Sequence, residues 1–174
     1  MARVLIVVAE KGFRDEEYSI PREMIEKAGH QVTLASTGKG PAKGKLGLVV
    51  NPDTTVDEVD SKRYDAIVIP GGPGSPTYLW PNKRLQSTVK EIYEKGGVVA
   101  AICLAPVVLA RAGIIKGRKC TVYPTPESLS EMRNGGGILQ DMDVVVDGKV
   151  ITANGPDASR KFGEAIVKAI AQTV

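Results

Sequence analysis

Cys103 is the residue of this chain best placed for covalent chemistry. It stands between two apolar segments, Val98–Ile102 and 106–110. The first is a continuous run of β-branched and small residues, the pattern of a strand buried on both faces. The second opens with a proline, which suits the first turn of a helix. A nucleophile on a sharp strand-to-helix turn needs small residues two positions to either side, because the backbone folds back on itself there. Ala101-Ile102-Cys103-Leu104-Ala105 meets that need, with the small-x-nucleophile-x-small form whose serine version is G-x-S-x-G. The following helix N-terminus is expected to lower the thiol pKa and favour thiolate. A buried cysteine also serves as a plain small hydrophobe. Spacing alone leaves both roles open.

A carboxyl is the second group of interest. Glu17, Ile20, Pro21, Met24 and Ala28 fall at i, i+3, i+4, i+7 and i+11, one face of a helix. That puts Glu17 on the apolar stripe. The alternative is an acid placed in the first turn for the helix dipole, a part Asp15 and Glu16 also fit. The register is open by one residue, because Glu16, Ile20 and Met24 align too. A desolvated carboxyl has a raised pKa, and a nearby thiolate raises it further. Protonated, it could donate a hydrogen bond to sulfur and serve as general acid and base. Pro70-Gly71-Gly72 follows an apolar strand and could bring backbone close to a ligand, or simply make a tight turn. The N–H groups of Gly72 and Leu104 could stabilise an oxyanion, one from each loop.

The elements that would position these groups alternate. Strands are expected at 3–9, 31–35, 48–50, Ala66–Ile69, Val98–Ile102, 119–123, 144–146 and Val150–Ala153. Helical stripes begin at Glu17, at Leu85 with Val89, Ile92 and Tyr93, and at Phe162 with Ile166 and Ile170. Gly29 ends the first helix. The helix after Cys103 closes over 109–115, a helical turn is expected over 127–133, and Asp57 is expected to cap another through Val59. Residues 37–47, rich in Gly, Lys and Pro, read as a surface excursion, and Asp147-Gly148 as a hairpin turn. Strand–helix alternation implies a mostly parallel sheet covered on both faces. In such folds ligands bind beyond the carboxyl ends of the strands. The Cys103 turn, the Gly71-Gly72 loop, the Glu17 region and the Asn154-Gly155-Pro156 loop each follow a strand. All four therefore project to one rim.

Composition narrows the classes. The 174 residues suffice for a single domain, 1–174, with a full core. Hydrophobic content is 43% and charged content 25%, ordinary for a globular protein. The net charge of +3 is spread along the chain, and aromatics are 5%, which argues against a specific nucleic-acid partner. The longest apolar run is too short to span a bilayer, so no membrane role is expected. No signal-peptide pattern precedes the first strand. Two distant cysteines make no disulfide framework and point to a reducing cytoplasm. A single His argues against a protein metal site.

The strand running into Pro70-Gly71-Gly72, the Ala101-Ile102-Cys103 turn ending at Pro106, and the Glu17-to-Pro21 segment resemble the ThiJ/PfpI superfamily. The similarity covers nearly the whole chain. Residues 10–21, Asn134-Gly135-Gly136 and the loop at Asn154 look closest to its Parkinson-disease-associated deglycase branch. The resemblance implies an α/β three-layer sandwich, flavodoxin-like (class I glutamine amidotransferase-like), a homodimer and no cofactor. It implies Cys103 as nucleophile, Glu17 as its acid partner, and Gly72 and Leu104 as oxyanion amides. The expected activity is removal of reactive carbonyls such as methylglyoxal, or of glycated protein and nucleotide adducts, through a hemithioacetal on Cys103. Two other roles stay open. One is a redox sensor or chaperone holding a Cys103 sulfinate. The other is an intracellular cysteine peptidase. Two positions depart from the family. Leu104 stands where the peptidase-like branch has His after the Cys, and Tyr123 where the deglycase branch often has His. Tyr123 could donate a hydrogen bond to a substrate carbonyl. The one His, His30, is expected on the opposite rim. Cys120 is expected to pack rather than react.

Overall fold

Continuous apolar runs form the centre of the molecule, as burial on two faces requires. The computed structural model describes residues 1–173. In chain order the strands are β1 (Arg3–Val8), β2 (Lys11–Phe13), β3 (Gln31–Ser36), β4 (Ala42–Gly44), β5 (Val49–Val50) and β6 (Thr54–Thr55). They continue with β7 (Ala66–Ile69), β8 (Val98–Ile102), β9 (Lys119–Cys120), β10 (Ile138–Leu139), β11 (Val144–Asp147) and β12 (Val150–Ala153). The helices are α1 (Asp15–Lys27), α2 (Lys83–Glu94), α3 (Pro106–Arg111), α4 (Pro126–Asn134) and α5 (Ser159–Ala171).

Seven strands make the main sheet, in the order β11-β12-β8-β7-β1-β3-β6. Neighbours are parallel except at the β11–β12 edge hairpin. Side chains alternate across it. Val4, Ile6 and Val68 meet Ile25, Phe162 and Ile166 of α1 and α5. Leu5, Val7, Ile67 and Val99 meet Leu85, Val89, Val107 and Met132 of α2, α3 and α4 on the other face. The result is a three-layer α/β sandwich, as the sequence pattern predicts. Burying each large side chain contributes roughly 1.5–3 kcal/mol.

Several expectations need correction. The buried stripe of α1 is Glu17, Tyr18, Pro21 and Ile25, while Ala28 is exposed. The helix packs against both the sheet and its neighbour α5 on the same face, so a second line of contacts shifts the stripe. The helix after Cys103 stops at Arg111 rather than at 115. The expected strand 119–123 keeps only β9, which pairs with β10 outside the main sheet. Beyond it Thr121 N–H donates to Thr152 Oγ1 at 2.9 Å and Tyr123 N–H to the Cys103 carbonyl at 2.8 Å. Pro124 has no N–H at all. Asp57 lies inside a short 3₁₀ turn, Val56–Glu58, with Thr55 at its cap position. The surface excursion 37–47 contains β4, which joins β2 and β5 in a small separate sheet.

Candidate active site

Three neighbouring strands, β1, β7 and β8, deliver the site at their carboxyl ends. Cys103 directly follows β8. Its φ of 65° is the one positive value at a non-glycine residue among those described. That conformation costs on the order of 1–3 kcal/mol and persists only where surroundings enforce it. Here they do. Cys103 N–H donates to the Ala153 carbonyl at 2.9 Å, and the Cys103 carbonyl accepts from Tyr123. Trp80 Nε1–H donates to the Leu104 carbonyl at 2.7 Å. The buried strand beneath anchors the turn, and Cys103 at its top is 7% exposed.

The loop after β7 closes against this turn. A Cβ on Gly71 would lie 2.5 Å from the Ile102 carbonyl oxygen and 2.8 Å from Leu104 N, so only glycine fits. Gly71 is also tied to the start of α1 from both sides of its residue. Its carbonyl accepts from Arg14 N–H at 2.9 Å, and its N–H donates to Glu17 Oε1 at 2.9 Å.

Glu17 is fully buried. No hydrogen-bond donor reaches its second oxygen, Oε2. Burial pushes its carboxyl up to about 7 from an ordinary 4.5, against the opposing pulls of the Gly71 N–H, Cys103 and Arg14. Glu16 turns outward and pairs with the Arg14 guanidinium at 2.5 and 3.2 Å. The register is thereby settled in favour of Glu17.

The expected lowering of the thiol pKa does not hold. Burial and the charge of Glu17 push Cys103 up to about 12, while the Gly72 and Leu104 N–H groups favour its ionised form. Helix α3 begins three residues later and is six residues long, so its dipole is too small and too far to decide the matter. The thiol and the carboxyl are instead a pair. While Glu17 is ionised, the thiol keeps its proton. When the carboxyl takes that proton, the charge opposing thiolate is gone.

A cavity of about 180 Å³ opens over the sulfur. Gly72, Pro73, Leu104 and Pro156 form its walls. Tyr123 lines one side, half-exposed, with its ring beside Gly155. Of the expected rim, Cys103, Gly72, Leu104 and Tyr123 line this cavity with Pro156, while Glu17 is buried outside the lining and bonded to Gly71. Sequence reasoning missed two cations in the lining, Arg14 and Lys45. Arg14 precedes an acidic helical turn, and nothing in its spacing marks it. Lys45 belongs to the excursion that looked like plain surface. A larger depression of about 440 Å³ runs along the outside of α1, between Tyr18, Arg22 and Lys27, and holds no nucleophile.

The remaining candidates lie elsewhere. His30 Nδ1 accepts from Ala2 N–H at 3.0 Å, just before β1 and at the opposite end of the sheet. Cys120 is fully buried, and burial with the charge of Asp147 pushes its thiol up to about 11. Among the described residues, no helix is long and apolar enough to cross a membrane.

Known proteins share this arrangement of chain. The sequence model of the DJ-1/PfpI family matches residues 2–169. An uncharacterised protein of Methanocaldococcus jannaschii is 52% identical over 169 residues, covering 97% of this chain and 82% of its own. A deglycase of Thermococcus kodakarensis is 39% identical over 154 residues, covering 88% of this chain and 90% of its own. Protein/nucleic acid deglycase 2 of Escherichia coli is 33% identical, covering 97% of this chain and 98% of its own. The crystal structure of a ThiJ/PfpI domain protein from Brachyspira murdochii superimposes with a TM-score of 0.92 at 34% identity, covering 99% of this chain and 98% of the other.

Proposed function

This chain belongs to the DJ-1/PfpI family, and from that premise we propose that it is a cysteine-dependent enzyme acting on reactive carbonyls. The substrates are α-oxoaldehydes such as methylglyoxal, or the early adducts they form on proteins and nucleotides. The Cys103 sulfur adds to the aldehyde carbon as its proton passes to Glu17. The carbonyl oxygen takes up negative charge, which the Gly72 and Leu104 N–H groups stabilise, and becomes the hydroxyl of a hemithioacetal. Glu17, having given the thiol proton to that oxygen, removes the proton from the carbon and delivers it to the neighbouring carbon, while the hydroxyl proton passes to the neighbour's oxygen and the first carbon becomes a carbonyl. The hemithioacetal becomes a thioester, and water hydrolyses it to a 2-hydroxy acid and free Cys103. The net change is one dicarbonyl plus one water to one hydroxy acid. No step calls on a cofactor. Tyr123, in the cavity lining, donates a hydrogen bond to the second carbonyl in this proposal.

One observation carries this reading. A fully buried carboxyl, pushed up to about 7 by burial and with one oxygen held by Gly71, is coupled electrostatically to Cys103, whose thiol faces an open cavity. Such a group can both accept and release a proton near neutral pH. The relatives named deglycases support the same class of chemistry. A peptidase finds less support, since the only His bonds to Ala2 at the far end of the sheet. The test is lactate formation from methylglyoxal. Wild type should produce it and Cys103→Ala should not; equal rates for the two would refute the proposal.

A further inference from the structure

We infer that Lys45 is a specificity residue of the Cys103 cavity, selecting substrates that carry an anionic group, a carboxylate or a phosphate ester, beside the reacting dicarbonyl. The inference rests on the carbonyl reading above and narrows its substrate class. Lys45 reaches the cavity from a turn between β4 and β5, and the turn is held rigidly. Asp15 Oδ1 accepts from Leu46 N–H at 3.0 Å and Oδ2 from Leu48 N–H at 2.9 Å. Lys45 N–H donates to the Phe13 carbonyl at 2.8 Å, and Gly44 N–H to the Leu48 carbonyl at 2.7 Å. A Cβ at Gly44 would run into the Asp15 carboxylate, so the clamp needs glycine there. Asp15 stands two residues before Glu17 on the same helix. One short stretch of α1 thus places both the acid–base group and the lysine turn.

Charge accounting singles out Lys45. Arg14, the other cation of the lining, is matched by Glu16. Asp15 directs both oxygens to backbone N–H groups. Lys45 forms no ion pair among the described residues; it is exposed, and it lines the cavity together with Pro73, Leu104 and Pro156. Even in a water-like dielectric an unpaired cation about 4 Å from an anion attracts it by about 1 kcal/mol, and salt weakens that pull. An α-oxoaldehyde with an anionic tail would seat the tail on Lys45 and its aldehyde on Cys103. The reaction is the one already written, with the tail unchanged.

Two alkylating reagents isolate the charge effect. Iodoacetate and iodoacetamide transfer nearly the same group to sulfur and differ in charge. Their rate ratio at Cys103, read by mass spectrometry, cancels the thiolate fraction and most of the access. The ratio should fall about fivefold in Lys45→Met, stay high in Lys45→Arg, and drop further in Lys45→Glu. An unchanged ratio in Lys45→Met and Lys45→Glu overturns the inference. A second arm compares kcat/KM for methylglyoxal with α-oxoaldehydes bearing a carboxylate or a phosphate ester. Wild type should prefer one or both anions, which identifies the tail, and Lys45→Met should lose the preference. If wild type consumes dicarbonyls with no charge preference, Lys45 is excluded and the carbonyl reading stands. If it consumes none, the carbonyl reading fails, and the alkylation ratio still judges Lys45.

Discussion

At the Cys103 sulfur, burial and the charge of a neighbouring carboxyl oppose ionisation of the thiol. The spacing of Ala101, Cys103 and Ala105 was enough to mark the turn, and φ of 65° bears the strain such a turn requires. What the spacing could not give was the thiol's ionisation, because that depends on burial and on Glu17, brought in from α1. Glu17 carries its own consequence for stability. In the folded chain its carboxyl holds a proton up to about 7, against 4.5 for an ordinary glutamate. The favourable contribution is complete below about 4.5 and is lost as pH rises through about 7. Glu17→Gln mimics the protonated form at every pH. Its unfolding free energy should gain about 3 kcal/mol on wild type between pH 4 and pH 8. Parallel denaturant titrations at the two pH values measure this. A constant difference would mean that Glu17 is not desolvated in the folded state.

At the scale of elements, the site depends on the contact between the loop after β7 and the turn after β8. Gly71→Ala places a methyl against the Ile102 carbonyl and Leu104 N. Backbone on both sides must move, which should cost about 2 kcal/mol of stability and lower kcat/KM at least tenfold. Thermal unfolding and the lactate assay would register both effects. Full activity in a stable variant would show that the close approach is dispensable. Strands β7 and β8 were legible because a continuous apolar run marks a strand buried on both faces. The segment 119–123 was not, because its donors go to Thr152 Oγ1 and to the Cys103 carbonyl, partners that only the tertiary fold supplies. Lys45 was hidden for the same reason. Its place is fixed by Asp15, which clamps the turn from a different element.

At the scale of the whole molecule, a parallel sheet has two unlike ends. Loops that follow strands gather at one of them, and this polarity let the sequence bring Glu17, Gly72, Cys103, Leu104 and Tyr123 to a common rim. It also placed His30 at the other end, where it bonds to Ala2. His30→Asn should therefore leave carbonyl consumption within about twofold of wild type, as expected for distant sites. A loss of several orders of magnitude with an intact circular dichroism spectrum would bring His30 into the chemistry and revive the peptidase.

In the proposed reaction Glu17 moves the protons while Cys103 holds the substrate. Glu17→Gln keeps the shape, and its carbonyl oxygen can accept the Gly71 N–H, but it cannot exchange a proton. The decisive measurement is intact-protein mass spectrometry of this variant incubated with methylglyoxal, alongside a lactate assay. A one-to-one methylglyoxal adduct that maps to Cys103 is expected, with lactate formation abolished. Full lactate turnover by Glu17→Gln would contradict it.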